Sequence, residues 1–497
     1  MFKNGLYNLL GTIARLALSI ASVPLLLRFL GPSDYGLYAI LMAIINISVL
    51  SEWSICMVLI VFVTQAVAKP REPTALLGNT LRQALVLVVC LAIITATLLW
   101  LLSPFMALAF PNLSESHRIL LKRGCQLSAI VVFFRLLQQF FIGLEQAHGH
   151  YKLLNSIGTI FTISQTVLIL VAAYWQKGLL AIISVQAAAT AVFLFIHGTC
   201  CYQYGWLSPL RQADKNQWDQ FPRMLMYSSR TFIGGIGSAF FSQGDRLVVG
   251  RLLGLEASGF YAALASVATQ IHTLSTIAIQ PLVPTLTKLV EQVSLPNSPA
   301  STQESLETTI SRALKINAIL AVGLGSLIMM MAPELSAFLF KHDLSKLTLT
   351  SNGLRVIAFI YTLYSLNAVG YYMLLAIKRE IVTTMLTLIC GSASLLLVGI
   401  LGHFYGVTGA LYGNAGYLLT LLLLVYGFKS FSLRWQLWLN AMWQPLLILI
   451  SVFGASKVID SFVNRIVLLI MLSLILCIPL IQEGWQYFII NRRNRDM

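Results

Sequence analysis

The chain has 497 residues, 58% of them hydrophobic and only 10% charged, against about 25% charged in a soluble domain. At a mean hydropathy of +0.81 those few charges could not cover a soluble surface of this size, which excludes a soluble multidomain enzyme. The formal net charge is +15, from 33 Lys and Arg against 18 Asp and Glu. In a membrane protein that excess belongs to cytoplasmic loops facing anionic lipid, with some available to an anionic substrate, and it does not point to nucleic acid.

A transmembrane helix needs roughly 20 mainly apolar residues. Apolar runs cover 6–29, 36–66, 80–102, 125–147, 153–175, 178–201, 225–250, 259–290, 313–340, 353–377, 382–404, 407–428, 440–459 and 464–489. They predict an all-α polytopic membrane protein of about 14 transmembrane helices. Such long continuous runs exclude an outer-membrane barrel, whose strands alternate over about 10 residues. The first run is no signal peptide: Lys3 is its only leading charge, and Arg15 interrupts it. Between runs, 102–125 is broken by Pro104 and Pro111, and 206–222 is polar with Pro209 and Pro222. Segment 291–312 is rich in Ser, Thr, Gln and Pro and is expected to be a mobile loop. The seven cysteines show no ligand spacing and read as inert thiols.

With the N-terminus in the cytoplasm and alternate crossings, 18 basic residues fall inside and 11 outside, while Arg15, Arg135, Arg230 and Arg246 fall within spans. That bias places both termini in the cytoplasm. The outside cluster Arg118, Lys122 and Arg123 runs against it.

The chain also repeats itself. Arg28–Leu41 aligns with Arg251–Leu264 at an offset of 223 residues with seven of 14 positions identical, and Gly11 and Ser19 match Gly234 and Ser242 at the same offset. Six spans separate the two copies, so both halves enter the membrane from the same side as parallel repeats. The expected organisation is a six-helix bundle over 1–206, a cytoplasmic linker over 207–222, a second six-helix bundle over 223–430, and two additional helices with a basic tail over 431–497. Two bundles around a central cleft is a transporter layout. Within the motif, Gly31 and Gly36 permit a sharp turn between helices, and Tyr35, Tyr38 and Tyr261 suit the membrane interface.

The motif residues are Pro24-Leu25-Leu26 with Arg28-x-Leu30-Gly31-Pro32-x-x-Tyr35-Gly36-Leu37-Tyr38, and Asp245-Arg246-Leu247-x-x-Gly250-Arg251-Leu252-Leu253-Gly254 with Gly259-x-Tyr261-Ala262. On these the chain resembles the Wzx-like, O-antigen-type polysaccharide flippases of the multidrug/oligosaccharidyl-lipid/polysaccharide exporter (MOP) superfamily. The likeness in span count and loop spacing covers essentially the whole chain. The resemblance implies export of a lipid-linked oligosaccharide repeat unit across the bacterial inner membrane by alternating access. The carrier would be undecaprenyl diphosphate, and other polysaccharide assembly proteins would act beside it. The motifs are silent about the sugar and transfer no cavity residue.

A charge at mid-bilayer costs at least about 2.5–3.5 kcal/mol, so in-span charges normally face a bundle interior or a wet cavity. Arg135 lies mid-span in Val131-Val132-Phe133-Phe134-Arg135, with Gln138 and Gln139 within one turn. It reads either as a cavity cation for a diphosphate or acidic sugar, whose oxygens a guanidinium binds bidentately, or as the partner of a carboxylate such as Glu52. Arg15 and Arg230 are further candidate cavity cations. Asp245 beside Arg246 reads as a bundle-locking pair or a coupling site. The offset maps Glu52 onto Ser275, one turn from His272, so Glu52 and His272 are candidates for proton coupling, against a satisfied buried His and a Glu at a helix kink. His148-x-His150 has no third ligand nearby, so no metal is expected. No phosphate loop occurs and no cofactor is implied; drive would come from a proton or sodium gradient.

Three other functions compete. A multidrug exporter of the superfamily would favour acidic cavities, whereas the in-span residues here are mostly basic. A lipid II flippase is closer in chemistry. A membrane glycosyltransferase or polymerase would need a large acidic loop, and the longest loops here are about 20 residues.

Overall fold

The structure, a computed structural model, describes residues 2–49, 59, 62–63, 74–214, 217–279, 282–293, 300–340, 347–377 and 379–476; at 2–17, 19–20, 49, 74–76, 151, 230–241, 283–284, 288, 291, 293, 300–302 and 380 it describes the backbone alone. Every regular element among the described residues is helical. In chain order they are α1 Phe2–Val49, α2 Thr74–Leu108, α3 Glu115–Ala147, α4 Tyr151–Tyr174, α5 Leu179–Gln203, a 3-10 helix Ser208–Gln212, α6 Phe221–Leu253, α7 Leu255–Ile279, α8 Leu282–Val293, α9 Ala300–Met330, α10 Ala332–Leu339, α11 Leu347–Leu366, α12 Ala368–Ala376, α13 Glu380–Gly413, a 3-10 helix Asn414–Thr420, α14 Leu421–Ser430, α15 Trp435–Val458 and α16 Phe462–Leu476.

Ten stretches among the described residues are long and apolar enough to cross a membrane, and α16 is a shorter apolar helix. One stretch, Ile381–Ser430, is 50 residues long and holds two of the expected spans, joined at Gly406 (φ 63°, ψ −147°). The all-α polytopic architecture is therefore as expected, and the count of 14 holds approximately. Apolar side chains cover both faces of these helices. On α2, Leu81, Ala84, Val88 and Ala92 are buried, while Ile94, Leu98, Leu101 and Phe105 are exposed. A soluble helix would put charge on that outer face.

The chain divides into two compact units, Met1–Ala262 and Ala263–Met497. Unit 1 packs α2 and α5 against α3. Its core joins Leu37, Ile40 and Leu41 to Leu121, Val132, Leu136 and Phe140. The repeat is visible in the backbone. Gly31 inside α1 has φ 79°, ψ 165°, and Gly254, 223 residues later between α6 and α7, has φ 89°, ψ 179°. Only glycine adopts that conformation without strain, which is why these positions keep their identity.

The two motif copies also touch each other. A Cβ on Gly36 would strike the carbonyl oxygen of Leu255, and one on Gly259 would strike that of Pro32. Since 32 maps onto 255 and 36 onto 259, the contact is reciprocal. Backbone meets backbone on both sides, and no side chain can move away to make room.

The polar segment after α5 is docked on the start of α2. Asn79 Nδ2 donates to Gln217 Oε1 (2.5 Å), Asn79 Oδ1 accepts from the Asp214 amide (2.6 Å), and Gln83 Nε2 donates to the Gln217 carbonyl (2.9 Å). Arg82 does the same (2.9 Å) and lies over the Trp218 ring.

Unit 2 packs α9 against α11 and α15. Arg465 of α16 is buried and reaches the Met330 carbonyl (3.3 Å) and the Glu334 carboxylate, which fastens the last described helix to α9 and α10. The expected loop at 291–312 needs correction. Helix α8 runs to Val293 and α9 starts at Ala300, leaving 294–299 outside the described residues. Leu306, Ile310 and Leu314 recur every fourth residue and are all buried. That stripe holds the polar segment helical, and Thr308 and Thr309 turn their hydroxyls back onto carbonyls four residues earlier.

Candidate functional site

In unit 1, α3 brings Arg135 and Gln139 onto one face a turn apart, both half-buried, with Gln138 at 6% exposure beside them. Arg135 and Gln139 each have partners. The neighbouring face is closed by Val131, Val132, Leu136 and Phe140. The helix thus offers a guanidinium and two amides from one side of a packed rod, a donor set suited to an anion bearing several oxygens. Arg15 lies on α1 and Arg230 on α6, but their side chains, like the whole of Glu52, lie outside the described residues. The expected pairing of Glu52 with His272 therefore falls outside them too.

Asp245 is 4% exposed. Its Oδ2 accepts from the Tyr261 hydroxyl (2.8 Å), and its Oδ1 accepts from the Arg246 amide (2.8 Å). Arg246 itself donates to Gln243 Oε1 (3.0 Å), and its carbonyl accepts from Ser258 Oγ (3.4 Å). The bonds from Tyr261 and Ser258 tie α6 to the first turns of α7 across Gly254. Tyr261 is the repeat equivalent of Tyr38, and both belong to the motif.

A buried ionisable pair was missed from sequence. Glu145, at the end of α3, and His197, inside α5, are 0% and 1% exposed, with His197 Nδ1 2.7 Å from Glu145 Oε1. The other carboxylate oxygen has no hydrogen-bond partner among the described residues. Burying two ionisable groups this fully inside apolar helices is costly unless they are paired. The available signal was an acidic residue and a histidine, each closing or interrupting an apolar run.

His148 and His150 form an aromatic cluster rather than a pair of ligands facing one ion. His148 stacks on Trp206 (4.7 Å, 14°), Tyr204 stacks on Trp206 (4.8 Å, 12°), and His150 meets both edge-on.

In unit 2, His272 of α7 is half-buried and stacks on Tyr364 of α11 (4.1 Å, 20°). Tyr364 stacks in turn on Tyr417 of the 3-10 helix (5.1 Å, 28°), and Tyr361 closes on both. These tyrosines were also missed, although Tyr361 and Tyr364 are at i, i+3 spacing on one helix face.

The family model of a polysaccharide biosynthesis protein matches residues 25–296, more than half of the chain and both copies of the repeated motif, so the chain belongs to that family. No curated protein matches it significantly. Among solved structures it is similar to the lipid II flippase MurJ in an inward closed conformation, at a TM-score of 0.73 and 13% identity over 96% of this chain and 99% of that one. It is also similar to an inward-facing multidrug resistance MATE family transporter of the MOP superfamily (TM-score 0.66, 14% identity, 84% and 94% covered). A third is a MOP superfamily transporter from Pyrococcus furiosus (TM-score 0.56, 14% identity, 86% and 94% covered). At these identities the likeness is one of fold.

Proposed function

We propose that the protein is a flippase that moves undecaprenyl-diphosphate-linked oligosaccharide repeat units, of the O-antigen type, from the cytoplasmic to the periplasmic face of the bacterial inner membrane, with both termini in the cytoplasm. Membership in a polysaccharide biosynthesis family and a fold similar to that of a lipid II flippase support it. The observation that carries the reading is Arg135, a guanidinium with two glutamines within one turn in the middle of a mainly apolar span. A charge held there costs a few kcal/mol and normally faces a bundle interior or a wet cavity.

The substrate cannot cross hydrocarbon unaided, because its diphosphate and hydroxyls would lose their hydration. Arg135, with Arg15 and Arg230, replaces that hydration with fixed donors on the diphosphate, while Gln138 and Gln139 add neutral donors and acceptors. The polyprenyl tail stays in lipid. The two repeat bundles alternate between inward and outward access. A site alone gives no direction, so a proton or sodium gradient, or removal of product by other assembly proteins, supplies it. Glu52, His272 and Asp245 are the candidates for coupling.

The test is the fate of lipid-linked oligosaccharide in a strain lacking the gene. Loss of surface polysaccharide, with completed repeat units held on the cytoplasmic side and restored export on complementation, is the expected result. Unchanged surface polysaccharide would reject the reading. The likeness to MurJ favours lipid II as the second substrate; rescue of a strain depleted of its own lipid II flippase would select it.

A further inference from the structure

Unit 2 contains a place where both backbone and side chains depart from ordinary membrane packing. The crossing that begins at Leu347 breaks at Asn367, between α11 and α12. The crossing that follows Gly406 winds into a 3-10 helix over Asn414–Thr420 before α14 resumes. The two breaks are joined, since Asn367 Nδ2 donates to Thr420 Oγ1 (3.2 Å). Irregular backbone at membrane depth is tolerated where it is buried in protein or lines a cavity, and a 3-10 stretch inside a span commonly marks a functional position.

The aromatic stack sits at these breaks. Tyr364 lies three residues before Asn367, and Tyr417 lies in the middle of the 3-10 helix. His272 and Tyr364 are each 17 residues from the start of their helices, α7 and α11, or about 25 Å along each axis. The three stacked rings are half-buried, neither sealed in the core nor turned fully outward. His272 Nδ1 is enclosed with no hydrogen-bond partner among the described residues. The polar atoms of the cluster are hydroxyls, an imidazole and the amide of Asn367, and none is a carboxylate.

We propose that His272, Tyr361, Tyr364 and Tyr417 form a glycan subsite, on which a neutral sugar ring of the transported molecule stacks. This rests on the flippase reading and adds to it the position of the sugar. A pyranose has an apolar C–H face and a rim of hydroxyls. The electron-rich ring faces take the first, and the phenol hydroxyls and imidazole nitrogen take the second. A diphosphate would need cations, and the cluster holds no guanidinium or ammonium.

The experiment measures binding by the full-length protein in nanodiscs. The probes are undecaprenyl diphosphate bearing the repeat unit, extracted from the deletion strain, and bare undecaprenyl diphosphate. Tyr417→Leu keeps an apolar side chain and removes the ring, and Tyr417→Phe keeps the ring. The expected result for Tyr417→Leu is a loss of about tenfold in affinity for the glycosylated lipid, with bare-lipid binding unchanged and with Tyr417→Phe within about twofold of the wild type. Equal affinity of Tyr417→Leu and wild type for the glycosylated lipid would overturn the subsite alone. So would equal weakening of both lipids, which would make the ring structural. If Tyr417→Leu does not fold, His272→Leu is read by the same criteria. A wild type that binds neither probe more tightly than phosphatidylglycerol would overturn the flippase reading itself. Tight binding of a hydrophobic cation such as tetraphenylphosphonium, lost in Tyr417→Leu while the glycosylated lipid is unaffected, would reassign the stack to cations.

Discussion

Unit 1 holds its buried ionisable side chains on long unbroken helices, whereas the interrupted crossings of unit 2 gather neutral polar groups and ring faces, and its buried guanidinium, Arg465, lies apart from them on α16. The helices α2, α3 and α6 run 35, 33 and 33 residues, and on the last two sit Arg135, Glu145 and Asp245. The unit 2 crossings that start at Leu347 and after Gly406 are interrupted at Asn367 and Asn414–Thr420, and the groups gathered there are tyrosines, an imidazole and amides. The physical reason is solvation. A buried charge needs a partner held in fixed geometry, which a continuous, well-packed helix supplies. A break in a helix frees backbone groups that hydroxyls and amides can satisfy without adding charge.

The sharpest way to break this comparison is to remove one member of a pair in each unit. Glu145→Ala leaves His197 buried without its partner, an expected loss of about 3–5 kcal/mol. Asn317 of unit 2 donates to the Ser365 carbonyl (2.8 Å), and Asn317→Ala is expected to cost about 1–3 kcal/mol. Thermal midpoints of the purified proteins check both. Equal losses would show that the unit 1 pair is no more constraining than a neutral bond. Replacing Glu145 and His197 together by Leu is expected to recover much of the loss.

The reciprocal seam comes next in size. Gly36→Ala and Gly259→Ala each drive a methyl group into a fixed carbonyl, and overpacking of this kind costs about 1–3 kcal/mol. Because both methyl groups would act on one seam, the double variant should fall short of the sum of the single losses. Strict additivity in thermal midpoints would mean that the two glycines belong to independent contacts.

Arg135→Ala addresses function more than stability. Export is expected to fall about tenfold, equivalent to 1.4 kcal/mol, with protein level unchanged. Arg135→Lys should fall between, because an ammonium cannot make the paired bonds of a guanidinium. Normal surface polysaccharide in the Ala variant would remove Arg135 from the substrate path.

What could be read in advance follows from how local each cause is. Gly31 and Gly254 were legible because a positive φ with extended ψ admits glycine and little else, so the repeat shows as identical letters. Arg135 stands out in the sequence because a charge in an apolar run is expensive wherever the chain folds, and the substitutions above are the test of its role. The stretch 300–312 was misread because its polar composition conceals the four-residue period of Leu306, Ile310 and Leu314. Glu145 and His197 lie 52 residues apart, and His272 and Tyr417 come from different helices. Their meeting is decided by packing, which no local pattern encodes.

Asp245 offers the smallest and most discriminating test. If its bond to Tyr261 only locks α6 to α7, Tyr261→Phe and Asp245→Asn should each cost about 1 kcal/mol, and export should fall in step with stability. The amide of Asp245→Asn keeps an oxygen to accept from Tyr261 and loses the ability to carry a proton. If Asp245 couples transport to a gradient, Asp245→Asn should lose the response of export to a collapsed proton gradient, beyond the about 1 kcal/mol that goes with one of its two acceptor oxygens, while Tyr261→Phe keeps that response. Export and midpoint plotted for the two variants separate a lock from a coupling group, because only the lock makes the two quantities move together.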